Sequence, residues 1–439
     1  MSFTCIIMGA AGRDFHDYLR FFRDRPEFTV VCFTAHQIPF IEERSFPAEL
    51  AGPNHAGDIP IYSEARLSEL IREHRVDFVF LSYSDLPHED VMHRASIVQA
   101  AGASFALLGP GHTELSSTLP VLSVTASRTG AGKSPLCLAL AEHFRTTGTR
   151  VGVIRHPMPY GDLRRQEVQR FATHEDLDTH ECTVEEREEY EPYVDRGLVI
   201  YAGVDYAKIL AAAESESEAI LWDGGNNDAS FIRAGLSITV LDALRAGHEL
   251  RYYPGETNFR RADVLVLNKV RSAKASDVDI LRENVRAHNP AATVIEADLD
   301  VAVPDPSAIA GKRVLVVDDG PTLTHGGMSY GAGGVAAERY GAAEIIDPRA
   351  HAIGTIAEAF TNYPHLGPVL PALGYSEKQR EELAETIRRA APDVVVDGSP
   401  AGLRRLLDLD VPVVEVQYRF VQLAGPSMFE LVDTFLATH

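Results

Sequence analysis

The residues best placed to do chemistry form a glycine-rich run, Ser127-Arg-Thr-Gly-Ala-Gly-Lys-Ser134, between an apolar stretch and a helical pattern. Glycines let successive backbone N–H groups surround a phosphate, Lys133 neutralises its outer oxygens, and the Ser134 hydroxyl suits Mg²⁺. The pattern G-x-x-x-x-G-K-[ST] is met except at its first glycine, where Ser127 stands, and the plain alternative is a tight turn before a helix. We predict an ATP or GTP site made by Thr129, Gly130, Ala131, Gly132, Lys133 and Ser134.

A second chemical signal is a carboxylate that ends an apolar run. Asp223 follows residues 218–222 and precedes two glycines, an arrangement that suits a Mg²⁺-nucleotide site. We predict that Ser134 and Asp223 hold the metal. Asp242, which ends the next apolar run, is the rival for this role.

Basic side chains collect near the same site. Arg155 and His156 follow the strand pattern 150–154, in a loop that its prolines exclude from helix. We predict that Lys133, Arg128, Arg155 and His156 act in catalysis, mainly by neutralising charge and aligning a small anionic metabolite.

The dipeptide Asn268-Lys269 ends another apolar run and resembles the purine-reading motif N-K-x-D of GTP-binding proteins. Both residues are predicted to bind the nucleotide. Arg271 stands where the motif has the aspartate that contacts guanine. The sequence therefore does not decide whether the nucleotide base is adenine or guanine.

Two further glycine-rich turns are candidates for the acceptor substrate. Gly12 and Arg13 follow the first strand pattern, although a tight β–α turn explains them as well. A second turn, within residues 318–334, has the composition of a phosphate nest, and its alternative is a mobile surface loop. Its candidate substrate contacts are His325, Gly326, Gly327 and Gly331.

Two polar segments are further candidates. Ser84, Asp85 and His88 lie at a predicted carboxyl edge of a sheet, where a helix cap is the competing interpretation. The acid-rich segment 171–191 contains His174 and His180 at no common metal-ligand spacing, and we interpret it as a solvated helical lid.

These residues must be positioned by alternating strands and helices, which predicts an α/β fold with mostly parallel sheets. We divide the chain into a Rossmann-like domain at 1–117, a central P-loop NTPase domain at 118–308 and a smaller C-terminal α/β domain at 309–439. We expect the acceptor between Arg155-His156 and the run 326–334, with the N-terminal sheet edge as a further wall, because transfer needs close alignment of the reacting groups.

The composition of the chain limits the kinds of binding partner and the cellular compartment that we expect. A net charge of −22 over 439 residues disfavours nucleic acid and anionic membranes and confines anion binding to local pockets. The cysteines are far apart, which predicts reduced thiols and a cytoplasmic protein. We expect neither a signal peptide nor a membrane-spanning segment, because the sequence begins with a strand pattern and no apolar run reaches the length of a span.

The central segment resembles the P-loop enzymes that include dethiobiotin synthetase, through residues 129–134 and Asp223-Gly-Gly225. That family is dimeric or pseudo-dimeric, which implies a homodimer or higher homo-oligomer. Nearly the whole chain resembles proteins grouped as cyclic 2,3-diphosphoglycerate synthetase-like or predicted GTPases. This resemblance is carried by four strings, at residues 7–16, 155–162, 223–228 and 253–256.

These signals together predict a Mg²⁺-dependent enzyme that transfers a phosphoryl group from ATP or GTP to a small phosphorylated acid. The resemblance implies that the activated acid closes to a cyclic phosphoanhydride. The alternative is a regulatory or chaperone-type GTPase that hydrolyses nucleotide and phosphorylates no metabolite.

Overall fold

The computed structural model describes residues 2–10, 12–36, 44–55, 57–156, 161–324, 327–373, 376–399 and 402–438. Within these residues, three larger sheets and a short two-stranded pair carry the fold. Most neighbouring strands are parallel and have helices between them in the chain, which confirms the α/β class. No helix of the described residues is both long and apolar enough to cross a membrane.

The N-terminal sheet has the strand order β3-β4-β2-β1-β5-β7. Aromatic side chains such as Phe15, Phe33 and Phe46 form much of its core. Its strands are β1 Phe3–Met8, β2 Phe28–Ala35, β3 Ser45–Phe46, β4 Ile59–Ser63, β5 Phe78–Leu81 and β7 Ser104–Ala106, and β6 is Leu86–Pro87. Its helices are α1 Arg13–Asp17, continued by a π-helical turn at Tyr18–Phe22, α2 Ala48–Ala51, α3 Leu67–His74, α4 His88–Ala101 and α5 Pro110–Thr113.

The central sheet has the order β10-β11-β9-β12-β8-β13-β15-β16-β22. Its strands are β8 Val121–Ala126, β9 Val151–Arg155, β10 Val168–Phe171, β11 Val199–Gly203, β12 Ala219–Asp223, β13 Leu236–Asp242, β15 Val264–Asn268, β16 Thr293–Ala302 and β22 Gln417–Ala424, and β14 Tyr252–Tyr253 pairs with β6 of the first unit. The helices are α6 Lys133–Thr147, α7 His174–Thr179, α8 Val184–Val194, α9 Tyr206–Glu214, α10 Gly255–Arg261 and α11 Ala275–His288.

Helix α6 shows how this unit is built. Leu136, Leu140 and Phe144 recur every four residues, so they share one helix face and pack into the core of the sheet. The helix ends where Gly148 adopts a left-handed conformation, with φ 82°.

The third sheet has β17 Arg313–Asp318 at its centre, beside β20 Val394–Gly398 and β19 Val369–Pro371. Its outer strands are β18 Glu344–Ile345 and β21 Val413–Glu415. The helices of this part are α12 Gly320–Thr324, α13 Ala332–Arg339, α14 Gly354–Asn362, α15 Glu377–Ala390 and α16 Leu403–Leu406.

The end of the chain returns to the central sheet. Strand β22 pairs antiparallel with β16, and helix α17 (Met428–Ala437) buries Met428, Val432 and Phe435 in the central core. The division at 117 and 308 stays a proposal. The structure adds that strand β22 pairs with the central sheet and that helix α17 packs into its core.

Candidate active site

The glycine-rich run forms the loop between β8 and α6. Gly130 and Gly132 have φ values of 76° and 100°, in the left-handed region that favours glycine. A Cβ at Gly132 would lie 2.1 Å from Nδ2 of Asn268, so only glycine fits there. Helix α6 then begins at Lys133, with Ser134 in its first turn. The strand, loop and helix of a P-loop are therefore all present.

Lys133 and Asp223 meet in the interior beside this loop. The Lys133 ammonium lies 2.8 Å from Oδ1 of Asp223, and both side chains are buried. Asp223 also contacts the Arg155 guanidinium at 2.9 Å and accepts a hydrogen bond from the Tyr193 hydroxyl at 2.8 Å. Burial alone would raise the pKa of Asp223, but Arg155 and Lys133 outweigh it and hold the pKa well below its ordinary value. Asp223 is therefore a fixed negative charge that positions two cations.

The rival carboxylate has another environment. Strands β12 and β13 flank β8 on either side, so Asp223 and Asp242 end the two strands next to the loop. Asp242 pairs with Lys269 at 2.9 Å and with Arg245 at 2.7 Å. Burial opposes ionisation of Asp242, but these two cations keep its pKa low. Both cations contact Oδ2, and Oδ1 accepts a hydrogen bond from the Leu244 backbone N–H at 3.1 Å. Asp242 therefore anchors a brace formed by Lys269 and Arg245.

This brace holds the backbone of the loop. Lys269 donates to the Gly130 carbonyl at 2.7 Å, and Arg245 donates to the Thr129 carbonyl at 2.6 Å. Asn268 donates to the Ala131 carbonyl at 2.8 Å. Asn268 and Lys269 thus fix the shape of the loop, whereas their contact with a purine base stays a prediction.

Arg155 and His156 lie beside the loop that follows β12. Arg155 donates to the Gly224 carbonyl at 2.6 Å and pairs with Glu189 of α8 at 2.5 Å. His156 lies 2.6 Å from a carboxylate oxygen of Asp228. Sequence reasoning placed Arg155 and His156 near the P-loop, and the structure brings them together with Asp223 and Asp228.

Asp228 joins the first two units of the chain. The Arg13 guanidinium lies 2.8 Å from Asp228 and also donates to the Ala229 carbonyl at 2.7 Å. Gly12 precedes α1 directly, so it lies at the same junction. Arg13 and His156 therefore share one buried carboxylate, which sequence spacing could not reveal.

The side chain of Arg128 points away from its own loop. It pairs with Asp85 at 2.7 Å, donates to Nδ1 of His248 at 2.9 Å and stacks on the Tyr252 ring with its guanidinium carbon 3.6 Å from the ring centre. Asp85, a candidate from the sequence, thus contacts the P-loop domain directly. Arg128 connects the loop to the N-terminal sheet edge, and its catalytic role stays a prediction.

The acid-rich segment is more buried than the sequence suggested. Helix α8 places Tyr190 and Tyr193 in the central core, and Glu186 is buried as well. The interpretation as a solvated lid is therefore wrong for α8. Tyr193 and Glu189 were missed as site residues, although two tyrosines three residues apart in an acidic helix are a usable sign of a buried face.

The C-terminal glycine-rich turn binds a carboxylate of the chain itself. Asp318 accepts hydrogen bonds from the backbone of Gly331 at 2.7 Å, Gly333 at 2.6 Å and Gly334 at 3.2 Å. The interpretation of these amides as a phosphate nest is wrong, because Asp318 already occupies them. Gly327 is exposed, with φ 66°.

Two other candidates in this turn, His325 and Gly326, lie outside the described residues. None of the hydrogen bonds or ion pairs of the described residues joins residues 327–334 to Arg155 or His156. The placement of the acceptor between these two groups is therefore without support from the described contacts.

The residues of the site could hold Mg²⁺ only together with the phosphates of a bound nucleotide. The described residues contain no group of three or more His, Cys, Asp and Glu side chains that could hold an ion. Mg²⁺ usually takes one or two protein ligands and completes its shell with phosphates and water. The Ser134 hydroxyl matches that donor set. Asp223 is a carboxylate of the right type, but Lys133, Arg155 and Tyr193 already contact it, so its contact with Mg²⁺ stays a prediction.

Comparison with known proteins decides the family. No protein-family model matches the chain. The sequence is 56% identical to the arginine synthetase ArcE of Thermococcus kodakarensis over 428 residues, which cover 98% of this chain and 96% of that protein. The chain belongs to the arginine synthetase ArcE family. Like the protein that names this family, the chain is an enzyme of the synthetase type.

Solved structures resemble the chain only distantly. LpxK from Aquifex aeolicus, solved in complex with ATP, is 14% identical, with a TM-score of 0.47 and coverage of 79% of this chain and 95% of LpxK. Hydrogenase maturation factor HypB from Archaeoglobus fulgidus is 15% identical, with a TM-score of 0.27 and coverage of 41% and 81%. At these TM-scores, neither likeness bears on function.

Proposed function

We propose that this protein is an arginine synthetase that uses ATP or GTP to complete the guanidinium group of arginine. The observation that carries the proposal is the 56% identity to the Thermococcus arginine synthetase over 98% of the chain. The P-loop at 127–134 and its partner Asp223 support a nucleotide-driven bond formation at one site.

The chemistry follows from the product. Replacing one terminal nitrogen of arginine by oxygen gives the ureido acid citrulline, whose oxygen is a poor leaving group. Transfer of the γ-phosphoryl group to that oxygen breaks the bond to the nucleoside diphosphate and forms a new P–O bond. Ammonia then attacks the ureido carbon, and the oxygen leaves with orthophosphate. The products are arginine, the nucleoside diphosphate and orthophosphate, so every atom is accounted for.

The residues of the chain have distinct roles in this scheme. The amides of the P-loop hold the phosphates, and Lys133 neutralises the charge that moves with the transferred group. Asp223 keeps Lys133 and Arg155 charged and in place. Mg²⁺, held by Ser134 and the nucleotide phosphates, would supply further positive charge to the phosphoryl group.

A second candidate acceptor is a phosphorylated acid that closes to a cyclic phosphoanhydride. The four sequence strings at residues 7–16, 155–162, 223–228 and 253–256 favour it. The same P-loop would donate the phosphoryl group, and only the acceptor would differ. A GTPase that phosphorylates no metabolite is the remaining alternative.

One experiment separates these possibilities. The protein is incubated with Mg²⁺, ATP or GTP, and one of three additions: citrulline with ammonium, 2,3-diphosphoglycerate, or buffer alone. Mass spectrometry reports arginine, and phosphorus NMR reports orthophosphate and any cyclic phosphoanhydride. We expect arginine and orthophosphate in equal amounts, only with citrulline and ammonium. A cyclic product, or equal nucleotide hydrolysis in all three mixtures, would replace the proposal by the corresponding alternative.

We also propose the cellular compartment, the partners and the oligomeric state of the enzyme. Cys5, Cys32 and Cys137 are buried free thiols, which supports a reducing cytoplasm. The net charge of −22 supports a small metabolite as partner rather than nucleic acid or membrane. A homodimer or higher homo-oligomer stays a proposal from the dethiobiotin synthetase resemblance, which sedimentation would test.

A further inference from the structure

The N-terminal sheet has a topological switch point next to the P-loop domain. From β1 the chain passes to β2 on one side, and later it returns to β5 on the other side of β1. In open α/β sheets, ligands bind in the crevice at the carboxyl ends of the two strands where the order reverses. In this sheet the position that corresponds to this crevice is where α1, which follows β1, contacts Ser82, which follows β5.

Asp17 of α1 is a buried carboxylate in this crevice, with an exposure of only 2%. Ser82 donates a hydrogen bond to Oδ2 of Asp17 at 2.8 Å. The other oxygen, Oδ1, has no hydrogen-bond partner among the described residues, and the Arg13 guanidinium lies 3.6 Å from it. Burial raises the pKa of Asp17 to about 7 despite Arg13. A buried carboxylate oxygen without a donor is costly unless a ligand supplies one.

The crevice is directly connected to the P-loop. The Asp85 backbone N–H, three residues after Ser82, donates to Oδ1 of Asn227 at 2.7 Å. Asn227 in turn donates to the Ser127 carbonyl at 3.1 Å, at the first position of the P-loop. Asp85 also pairs with Arg128, the second residue of that loop. A ligand held at Asp17 would therefore lie at the junction that contacts the start of the nucleotide loop.

We propose that Asp17 binds the α-ammonium group of the amino-acid acceptor, with Ser82 holding the carboxylate in position. This inference rests on the proposed function, because it needs an acceptor with a cationic end. The ammonium would supply the missing donor to Oδ1 and compensate the buried charge. The other end of the amino acid would extend toward the P-loop, where its ureido oxygen is phosphorylated.

A purely structural role for Asp17 is the competing explanation. Arg13 bridges Asp17 and Asp228, so the cluster could simply join two domains. A structural carboxylate would not distinguish amino acids from analogues that lack the α-amino group. The test must therefore measure this discrimination rather than activity alone.

Calorimetric titration of the full-length protein measures the discrimination between amino acids and analogues without the α-amino group. The two probes are L-arginine and its des-amino analogue, 5-guanidinopentanoic acid. The variants are Asp17→Asn, which keeps the shape of the side chain, and Ser82→Ala, a milder change that serves if the first fails to fold. Asp397→Asn is the matched control, since burial also raises the pKa of Asp397, to about 6, in the third sheet.

We expect the wild type and Asp397→Asn to prefer L-arginine by at least tenfold. Asp17→Asn should lose this preference, and Ser82→Ala should reduce it. The proposal is overturned if Asp17→Asn keeps the wild-type preference for L-arginine. If Asp17→Asn does not fold, Ser82→Ala takes its place in this comparison. The proposal is also overturned if the wild type shows no preference. Arginine formation by the wild type is scored separately. If arginine forms and the preference persists in the variants, only the site is wrong, whereas absence of arginine formation removes the proposed function itself.

Discussion

Lys133 and Asp223 form a buried ion pair of 2.8 Å that joins the first residue of α6 to the last residue of β12. Strand β12 lies beside β8, which leads through the phosphate-binding loop into α6, so the pair ties this loop to the adjacent strand. Arg155 contacts the same carboxylate at 2.9 Å. Lys133, Arg155 and Asp223 thus form one buried cluster of charges. We expect substitutions at these residues to affect turnover in different ways.

Lys133→Ala should abolish nucleotide turnover while the protein stays folded. Loss of the charge that follows the transferred phosphoryl group should lower kcat by about 100-fold or more. Asp223 keeps Arg155 as a partner, so the melting temperature should change little. Steady-state kinetics and thermal unfolding check this, with exposed Lys208→Ala as the control. Full activity in a folded Lys133→Ala protein would exclude the loop from catalysis.

Asp223→Asn should weaken the Mg²⁺ dependence of turnover far more than Asp242→Asn. Asp242 is engaged by Lys269 and Arg245 in the brace of the loop, so its loss should mainly raise KM for nucleotide. Turnover is measured while Mg²⁺ is titrated for both variants. The reverse order would identify Asp242 as the metal carboxylate.

Asp17→Asn should increase the free energy of unfolding relative to the wild type, and this increase should be larger at high pH than at low pH. The carboxyl ionises near its ordinary value of 3.8 in the unfolded chain but near 7 when folded, because burial disfavours the charge. A raised acid pKa therefore costs stability progressively between about pH 4 and 7, and asparagine removes that cost. Urea unfolding at pH 4 and pH 8 measures the difference between variant and wild type. A constant difference would show that Asp17 does not titrate in this window.

Asp318→Ala should destabilise the third sheet without affecting nucleotide turnover. Removing the carboxylate leaves the amides of Gly331, Gly333 and Gly334 without their acceptor, at a cost of about 1–3 kcal/mol for each buried group left unsatisfied. Denaturant unfolding and kinetics check this. An unchanged stability together with a raised KM for the acceptor would restore the turn as a substrate site.

The parts of the site that sequence could predict are those made by contiguous residues. The contiguous residues around Ser127–Ser134 predict the strand, the glycine-rich loop and the helix of the P-loop. Asp223 could be identified because it directly follows an apolar strand. Arg155 and His156 could be placed near the loop because parallel strands share a carboxyl edge.

The parts that sequence missed depend on contacts between distant segments. Arg13 meets Asp228 only because α1 of the first unit contacts the loop after β12 of the central unit. Tyr193 reaches Asp223 from a helix whose acidic residues suggested a solvated face. Strand β22 completes the central sheet from the far end of the chain. A fragment of residues 118–308 would lack β22 and Phe435, so we expect that it does not fold and bind nucleotide alone.

The central claim is most directly tested by following arginine when the wild-type protein is mixed with citrulline, isotopically labelled ammonium, Mg²⁺ and ATP or GTP. The account predicts labelled arginine and one orthophosphate per arginine, with no product from Lys133→Ala. Nucleotide hydrolysis without labelled arginine would contradict it.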